Sequence, residues 1–381
     1  MILRILKVLV YALVFGINLL TRFVRVKPGR VVFISYFTNN PEDNFKMIVD
    51  KLKESPQFEV VLLLINYRQV SKMAYLLNII KQAYYFNTAE VVFLDGNNVV
   101  MKTIIKKKRT KVIQIWHAVA ALKKFGEDTK SRLYNIRSCD YAITSCEKVR
   151  PIYSQALRIP EGRVLALGSP RTDDMFSAEK LAESRQRLFS KYDITADKQL
   201  VLYAPTFRGS GIDDVALPDI DIAEFSNRLN ENHILAVRLH PLIKGFNAPA
   251  GVIDLTSEKL LDTLSASDIL ITDYSTIMFD YALLERPMVF FAPDLDTYES
   301  DRGFYMNYEE FVPGAVARNL DELVSAVKDP ANFMDRIKEV KAEYFDFQDG
   351  LSTERVAHFV SLLCTYNVSE AIEKKDSNFS A

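Results

Sequence analysis

The chain has 381 residues, 49% hydrophobic and 25% charged, and its 48 Lys plus Arg nearly balance 49 Asp plus Glu. That is an ordinary globular mix with room for two or three domains; it excludes a disordered or collagen-like chain and gives no overall basic field for gripping nucleic acid. Cys139, Cys146 and Cys364 form neither an even set nor a C-x-x-C, which argues against structural zinc or a disulfide framework and for a reducing compartment.

The first thirty residues, MILRILKVLVYALVFGINLLTRFVRVKPGR, are apolar but broken early by Arg4 and Lys7. The uncharged run Val8–Thr21 is 14 residues long, short of the roughly 20 a bilayer-crossing helix needs. No small-residue cleavage site follows, so a signal peptide is a poor reading. Arg4, Lys7, Arg22, Arg25, Lys27 and Arg30 bracket the run with cations, a pattern that predicts a helix lying in the interface of an anionic leaflet. A buried first helix and a short tilted span are the alternatives.

Beyond Pro28, short β-branched runs alternate with longer helical ones. Strands are predicted at 30–36, 59–65, 91–94, 111–116, 141–144 and 164–167, with helical patterns between them, for example at 44–55 and 70–85. A polar helix is predicted over 177–192, and the alternation then restarts with strands at 199–204, 234–239, 252–254, 269–272 and 288–291. This is the pattern of parallel sheets with crossover helices. The expected fold is α/β: two doubly wound domains facing a cleft, with ligands beyond the carboxyl ends of the strands. The predicted division is a membrane-associating helix (1–26), an amino-terminal domain (27–190), a carboxy-terminal domain (191–366) whose last helix packs back on the first, and a polar tail (367–381).

The chemically unusual residues fall just after predicted strands. Trp116-His117 and Arg238-Leu239-His240-Pro241 each put an imidazole at a strand end, where a group titrating near neutrality can abstract a proton. Thr206-Phe207-Arg208 follows another strand with a hydroxyl and a guanidinium, and Gly168-Ser169-Pro170-Arg171 repeats the idea in the first half. In Thr272-Asp273-Tyr274-Ser275-Thr276 an apolar strand runs into a predicted helix. Asp, Ser and Thr serve there as caps, and the free N–H groups with two hydroxyls suit an anion. Arg302-Gly303 sits in a polar loop, where its guanidinium can close over a diphosphate or simply face solvent. G-x-x-x-x-G-K-[ST], G-x-G-x-x-G, H-E-x-x-H and G-x-S-x-G are all missing, which removes support for P-loop, dehydrogenase, zincin and serine-hydrolase chemistry. The D-x-D strings Asp219-Ile220-Asp221 and Asp294-Leu295-Asp296 are too common to carry a metal assignment.

Taken in order over residues 105–360, these segments resemble the CDP-glycerol glycerophosphotransferases of wall teichoic acid synthesis. The resemblance rests on Trp116-His117 with Leu122-Lys123-Lys124-Phe125-Gly126, Gly168-Ser169-Pro170-Arg171, Tyr203-Ala204-Pro205-Thr206-Phe207-Arg208, Leu239-His240-Pro241, Thr272 to Thr276, Arg302-Gly303-Phe304-Tyr305 and Asp349-Gly350. Two positions depart from the family pattern: Ala118 stands where many members have Gly after the His, and Thr276 replaces a Ser.

The family implies a GT-B-like pair of Rossmann-type domains, the first (27–190) reading the acceptor and the second (191–366) holding CDP-glycerol, and peripheral attachment to the cytoplasmic face of the cell membrane. By the chain length, the resemblance is to the primase branch, which adds the first glycerol phosphate to an undecaprenyl-diphosphate-linked disaccharide and releases CMP. Carried over residue by residue, His117 is the general base and His240 the second essential His. Thr206, Arg208, Asp273, Ser275, Thr276, Arg302 and Gly303 are expected to bind CDP-glycerol; Trp116, Lys123, Lys124 and Arg171 are acceptor-side candidates. No cofactor, no metal ligand and no nucleic acid are expected. The implied partners are CDP-glycerol, the polyprenyl-diphosphate-linked saccharide, an anionic membrane surface and other wall-synthesis enzymes. The alternatives are a ribitol- or other polyol-phosphate transferase, a GT-B sugar-nucleotide glycosyltransferase, and a membrane-bound binding module without turnover.

Overall fold

The computed structural model describes residues 2–116, 118–129, 139–209, 216–240, 243, 245–330 and 333–366. The chain divides into two compact units. The first holds Met1–His117, Phe125–Asp173 and Asp346–Ala381; the second holds Ala118–Lys124 and Asp174–Phe345.

In the first unit the chain runs α1 (Ile2–Thr21), β1 (Arg30–Ser35), α2 (Asp43–Lys53), β2 (Glu59–Leu64), α3 (Lys72–Thr88), β3 (Val91–Leu94), β4 (Lys111–Ile115), β5 (Tyr141–Thr144), α4 (Arg150–Leu157) and β6 (Val164–Ala166). In the second it runs α5 (Ala178–Lys191), β7 (Gln199–Tyr203), α6 (Ile222–Arg228), β8 (His233–Val237), β9 (Ile253–Asp254), α7 (Leu260–Ala266), β10 (Ile269–Thr272), α8 (Ile277–Ala282), β11 (Met288–Phe291), α9 (Leu295–Arg302), α10 (Tyr308–Phe311), β12 (Ala315–Ala317), α11 (Leu320–Lys328) and α12 (Met334–Tyr344). The last helix, α13 (Ser352–Thr365), returns to the first unit.

Each unit is built on a six-stranded sheet, ordered β2-β1-β3-β4-β5-β6 in the first and β12-β11-β10-β7-β8-β9 in the second, and every pairing is parallel. A parallel sheet is covered on both faces, which is why its strands read as unbroken apolar runs. Alternation along β1 sorts its side chains. Val31 and Phe33 pack with Phe45, Ile48 and Val49 of α2 and Val356, Phe359 and Val360 of α13. Val32 and Ile34 face the other way, onto Val14 of α1 and Ile79, Ala83 and Phe86 of α3. In the second unit Val201, Tyr203, Val237, Ile271 and Val289 form one face with Phe225 of α6 and Leu323 and Val327 of α11.

The division differs from the sequence expectation in two places. The polar helix α5 belongs to the second unit, because its arginines are tied there: Arg187 Nε donates to Asp262 Oδ2 at 3.1 Å and Arg185 Nη2 to Asp268 Oδ2 at 3.2 Å. The segment Ala118–Lys124 also belongs to it. The return of α13 is fixed by Asp173, whose carboxylate accepts from the Ser352 and Thr353 N–H groups at 2.9 and 2.7 Å and so caps the helix. Gly168, at φ 92°, makes that approach possible; a Cβ there would sit 2.2 Å from Ser352 Oγ.

Helix α1 does not stand clear of the fold. Val14, Asn18 and Thr21 are buried along α3, and Asn87 Nδ2 donates to Asn18 O and Thr21 Oγ1, both at 3.0 Å. Its other side leaves Leu13, Phe15, Leu19 and Leu20 exposed. Among the described residues no helix is long and apolar enough to cross a membrane.

Candidate active site

In an open α/β sheet the strand order reverses at one point, and the crevice beyond the carboxyl ends of the strands there is the usual ligand site. In the second unit that point lies between β7 and β10, and Thr206, Arg208, Asp273, Ser275 and Thr276 follow those two strands. Asp273, directly after β10, is 1% exposed. Its Oδ1 accepts from the Thr206 N–H at 2.8 Å and the Tyr274 N–H at 2.6 Å. Its Oδ2 accepts from Arg208 Nη1 at 2.8 Å. It therefore locks the loop after β7 to the loop after β10.

Arg208 is also fully engaged. Nε and Nη2 form a fork on Asp294, at 2.6 and 2.9 Å, and Nη1 also reaches the Thr206 carbonyl at 2.6 Å. The guanidinium lies 4.9 Å from the Tyr274 ring centre and 5.3 Å from that of Tyr298, and those two rings stack at 3.8 Å. The carboxylates on either side hold its ionisation well above the ordinary arginine range, although burial alone would lower it, and Arg208 in turn holds Asp294 below the usual carboxylate range against burial. The sequence offered Arg208 as a fork for phosphate oxygens; in the structure its half-buried guanidinium also braces the loops that shape the site.

Ser275 and Thr276 are half-buried at the start of α8, and Ser275 Oγ accepts from the Ile277 N–H at 3.3 Å. Helix α8 has six residues, so local N–H groups and hydroxyls contribute more there than a helix dipole. Arg302 ends α9 in an exposed position, with Nη2 donating to Gly209 O at 3.2 Å, and Gly303 follows at φ 71°. The acceptor-side candidates Lys123 and Lys124 fall in this same unit. Lys124 N donates to Gly303 O at 3.0 Å and Tyr305 N to Leu122 O at 3.1 Å, so the segment after His117 is strapped to the chain after Arg302. Lys123 lies 5.9 Å from the Tyr298 ring centre. Burial pushes its ammonium down to about 8, Asp273 opposes the fall, and Arg302 and Arg208 add to it.

His240 is exposed after β8, its ring 4.8 Å from that of Phe207. Two residues before it, Arg238 donates from Nη1 to the carbonyls of Leu255 and Glu258 at 3.2 and 2.6 Å. The D-x-D strings have structural uses: Asp294 receives Arg208, and Asp221 caps α6 through the Glu224 N–H at 2.9 Å. Among the described residues no group of three His, Cys, Asp or Glu is placed to hold a metal ion.

In the first unit His117 lies outside the described residues. Its neighbour Trp116 is held by a residue the sequence did not flag. Asn44, 6% exposed, donates from Nδ2 to Trp116 O at 3.0 Å, and its Oδ1 accepts from the Arg171 N–H at 3.0 Å and Ser169 Oγ at 3.4 Å. One carboxamide thus pins the end of β4 to the Gly168–Arg171 turn. Trp116 also packs on Phe125, ring centres 5.4 Å apart.

Residues 17–362 match the model of the CDP-glycerol:poly(glycerophosphate) glycerophosphotransferase family. The chain belongs to that family. It is a transferase of teichoic acid biosynthesis. It is 34% identical over 369 residues to the teichoic acid ribitol-phosphate primase of Bacillus spizizenii, covering 91% of this chain and 95% of that one. To the teichoic acid glycerol-phosphate primase of Bacillus subtilis it is 29% identical over 351 residues, covering 84% and 90%. The wall teichoic acid polymerase TagF superimposes with a TM-score of 0.76 at 24% identity, covering 98% of this chain and 97% of that one, which shows the shared α/β fold with two parallel sheets.

Proposed function

We propose that this protein transfers a polyol phosphate from its CDP-activated form to a hydroxyl of a polyprenyl-diphosphate-linked saccharide, with CMP leaving. The family match across residues 17–362 carries this reading. CDP-glycerol is the donor its family description names. CDP-ribitol is the second reading, favoured by the higher identity to the ribitol-phosphate primase than to the glycerol-phosphate primase, 34% against 29%.

In this mechanism an acceptor hydroxyl attacks the β-phosphorus of the donor. His117 takes the hydroxyl proton, a contribution typically worth roughly 10²–10⁴-fold. The diphosphate lies beyond β7 and β10, where Ser275 and Thr276 offer hydroxyls and N–H groups and Lys123 and Arg302 supply positive charge; His240 meets the phosphates or the leaving CMP. Arg208, Asp273 and Asp294 keep those loops in place, so the donors aimed at the phosphates need no reorganisation as charge develops.

The lipid carrier puts the reaction at a bilayer. Leu13, Phe15, Leu19, Leu20, Phe23 and Val24 are exposed on and just after α1, and Met73, Leu77 and Tyr84 are exposed on α3, the helix α1 packs against. Exposed apolar side chains on these two packed helices, with Arg22, Arg25 and Lys27 just beyond α1, suit an anionic leaflet.

The test is CMP release and product mass with a lipid-linked disaccharide acceptor and either CDP-glycerol or CDP-ribitol. Phosphopolyol addition with one donor, abolished in His117→Ala, is expected. Transfer of a sugar from a sugar nucleotide, or donor binding with no turnover, would overturn the reading.

A further inference from the structure

The first unit has its own switch point, between β1 and β3, and the residues gathered there play no part in the chemistry above. Asp95 leaves the carboxyl end of β3. The pairing of Leu94 with Gln114 brings it beside the strand that leads to Trp116. Ser35, at the end of β1, lies near its carboxylate, and Ser35 Oγ accepts from the Phe37 N–H at 3.1 Å. No described cation forms an ion pair with Asp95, and the charge that acts on it is another carboxylate, Asp43.

Phe37 stands over the next residue, Gly96. A Cβ on Gly96 would lie 2.8 Å from Phe37 Cε2, so only glycine lets the ring rest on that backbone. Yet Phe37 is 58% exposed, unusual for a phenyl ring held so closely. Amides line the neighbouring loops. Asn39 Nδ2 donates to Gln69 Oε1 at 3.1 Å, and Asn39 Oδ1 accepts from the Asn66 N–H at 2.8 Å, tying the loop after β1 to the loop after β2. On the other side Asn44 fixes the Trp116 carbonyl. A carboxylate with unspent acceptor capacity beside an open aromatic face, between ordered amide-bearing loops, is the chemistry that holds a pyranose ring. The ring's C–H face lies on the arene and its hydroxyls donate to the carboxylate.

We propose that the crevice at the carboxyl ends of β1 and β3 binds a saccharide ring of the acceptor, with Phe37 as its stacking face and Asp95 accepting from a ring hydroxyl. Burial pushes the Asp95 carboxyl up to about 7, the mark of a group kept from solvent and without a cation. This rests on the polyol-phosphate transfer reading and specifies where that reaction's acceptor is recognised. An anionic ligand is disfavoured at Asp95, because the charge that acts on it is another carboxylate, Asp43.

The experiment uses the full chain and a water-soluble, short-chain analogue of the polyprenyl-diphosphate disaccharide. Asp95→Asn keeps the shape and removes the charge; Phe37→Ala removes the stacking face, and Phe37→Trp keeps one. Asp95→Asn and Phe37→Ala are expected to raise the acceptor KM at least tenfold, to leave the CDP-polyol KM within about twofold, and Phe37→Trp to recover most of the loss. Saturation-transfer NMR of the disaccharide analogue without donor should show ring protons of the sugar in contact with wild type and not with Phe37→Ala. If wild type turns over no CDP-polyol, the reaction assignment fails while the NMR result still reports on the crevice. Unchanged acceptor KM in both variants, or donor and acceptor KM rising together, would overturn the proposal. So would loss of vesicle binding in Phe37→Ala with the soluble acceptor KM intact, which would make Phe37 part of a membrane face instead.

Discussion

Replacing Asp95 by Asn should stabilise the protein, and only above mildly acidic pH. An aspartate ordinarily titrates near 3.8, and in this fold Asp95 titrates at about 7. Burial is the main cause and the Asp43 charge a lesser one, only partly offset by the nearby Ser35 hydroxyl and its own backbone N–H. The sign follows from proton counting. Below pH 4 the carboxyl is protonated in both folded and unfolded chains, and no penalty exists. As pH climbs from about 4 to 7 the unfolded chain releases the proton and the folded one keeps it, so folding loses up to about 1.4 kcal/mol per pH unit. Above pH 7 the loss is complete, of order 4 kcal/mol for full enclosure and about half that if solvent reaches the rim. Asn removes the ionisation while keeping the size and shape of the side chain. Urea denaturation of both proteins at pH 5 and pH 8, followed by circular dichroism, measures this. The variant's advantage should be about 1–2 kcal/mol at pH 5, under half its full value, and reach about 2–4 kcal/mol at pH 8, a rise of roughly 5–10 °C in Tm for a unit of this size. An advantage independent of pH, or none at pH 8, would refute the picture of an unpaired, enclosed carboxylate. A residue whose removal stabilises the fold and weakens the reaction is one held there for its chemistry.

Other perturbations probe the remaining parts of the site. Arg208→Lys should cost about 3–5 kcal/mol in urea denaturation, because an ammonium cannot fork onto Asp294 and also reach Asp273, leaving a buried carboxylate without its partner. Asn44→Asp, which keeps the acceptor for the Arg171 N–H and removes the donor to Trp116 O, should lower kcat by about 10–100-fold with little change in donor KM, since a small displacement of the segment carrying His117 misplaces the base. Leu20→Glu with Phe23→Glu should abolish sedimentation with anionic vesicles and leave the circular dichroism spectrum unchanged, whereas Val14→Asp, at 1% exposure, should unfold the contact with α3.

The sheets were legible in the sequence because parallel strands buried on both faces leave runs such as Val-Val-Phe-Ile and Ile-Leu-Ile-Thr that polar helices separate. β12 was not: Ala315–Ala317 is three residues of small side chains, too brief for any period to show. The positions of Arg208 and Asp273 at strand ends were readable. Their mutual ion pair was not, because it spans 65 residues of chain, and the Asp294 partner is 86 away. Composition around Arg208 shows a cation; only the fold shows that two carboxylates consume it. Lys123 is the same lesson in reverse. Its position after Trp116-His117 points to the first half of the chain, while the backbone pairing with Gly303 and Tyr305 carries it into the second unit. Asp95 carried the signal used for Asp273, an aspartate ending an apolar run, and the same rule finds it.

The two switch points show what that shared position can become. Asp95 and Asp273 each follow the strand beside the reversal of their sheet, at equivalent places in the topology. Asp273 spends both oxygens on two N–H groups and a guanidinium and is 1% exposed, so it works as a brace. Around it Arg208 and Asp294 cancel, Lys123 offsets Asp273, and Arg302 leaves the surroundings net positive, which suits a diphosphate that arrives with its own negative charge. Asp95 forms no ion pair with a described cation and lies near Asp43, which repels anions and leaves acceptor capacity for hydroxyls. Donor and acceptor differ in just these terms, since one is a charged nucleotide diphosphate and the other meets the enzyme through neutral sugar. A single arginine, present after β7 and without counterpart beside β3 among the described residues, is enough to divide one topological site into an anion cradle and a hydroxyl-accepting crevice.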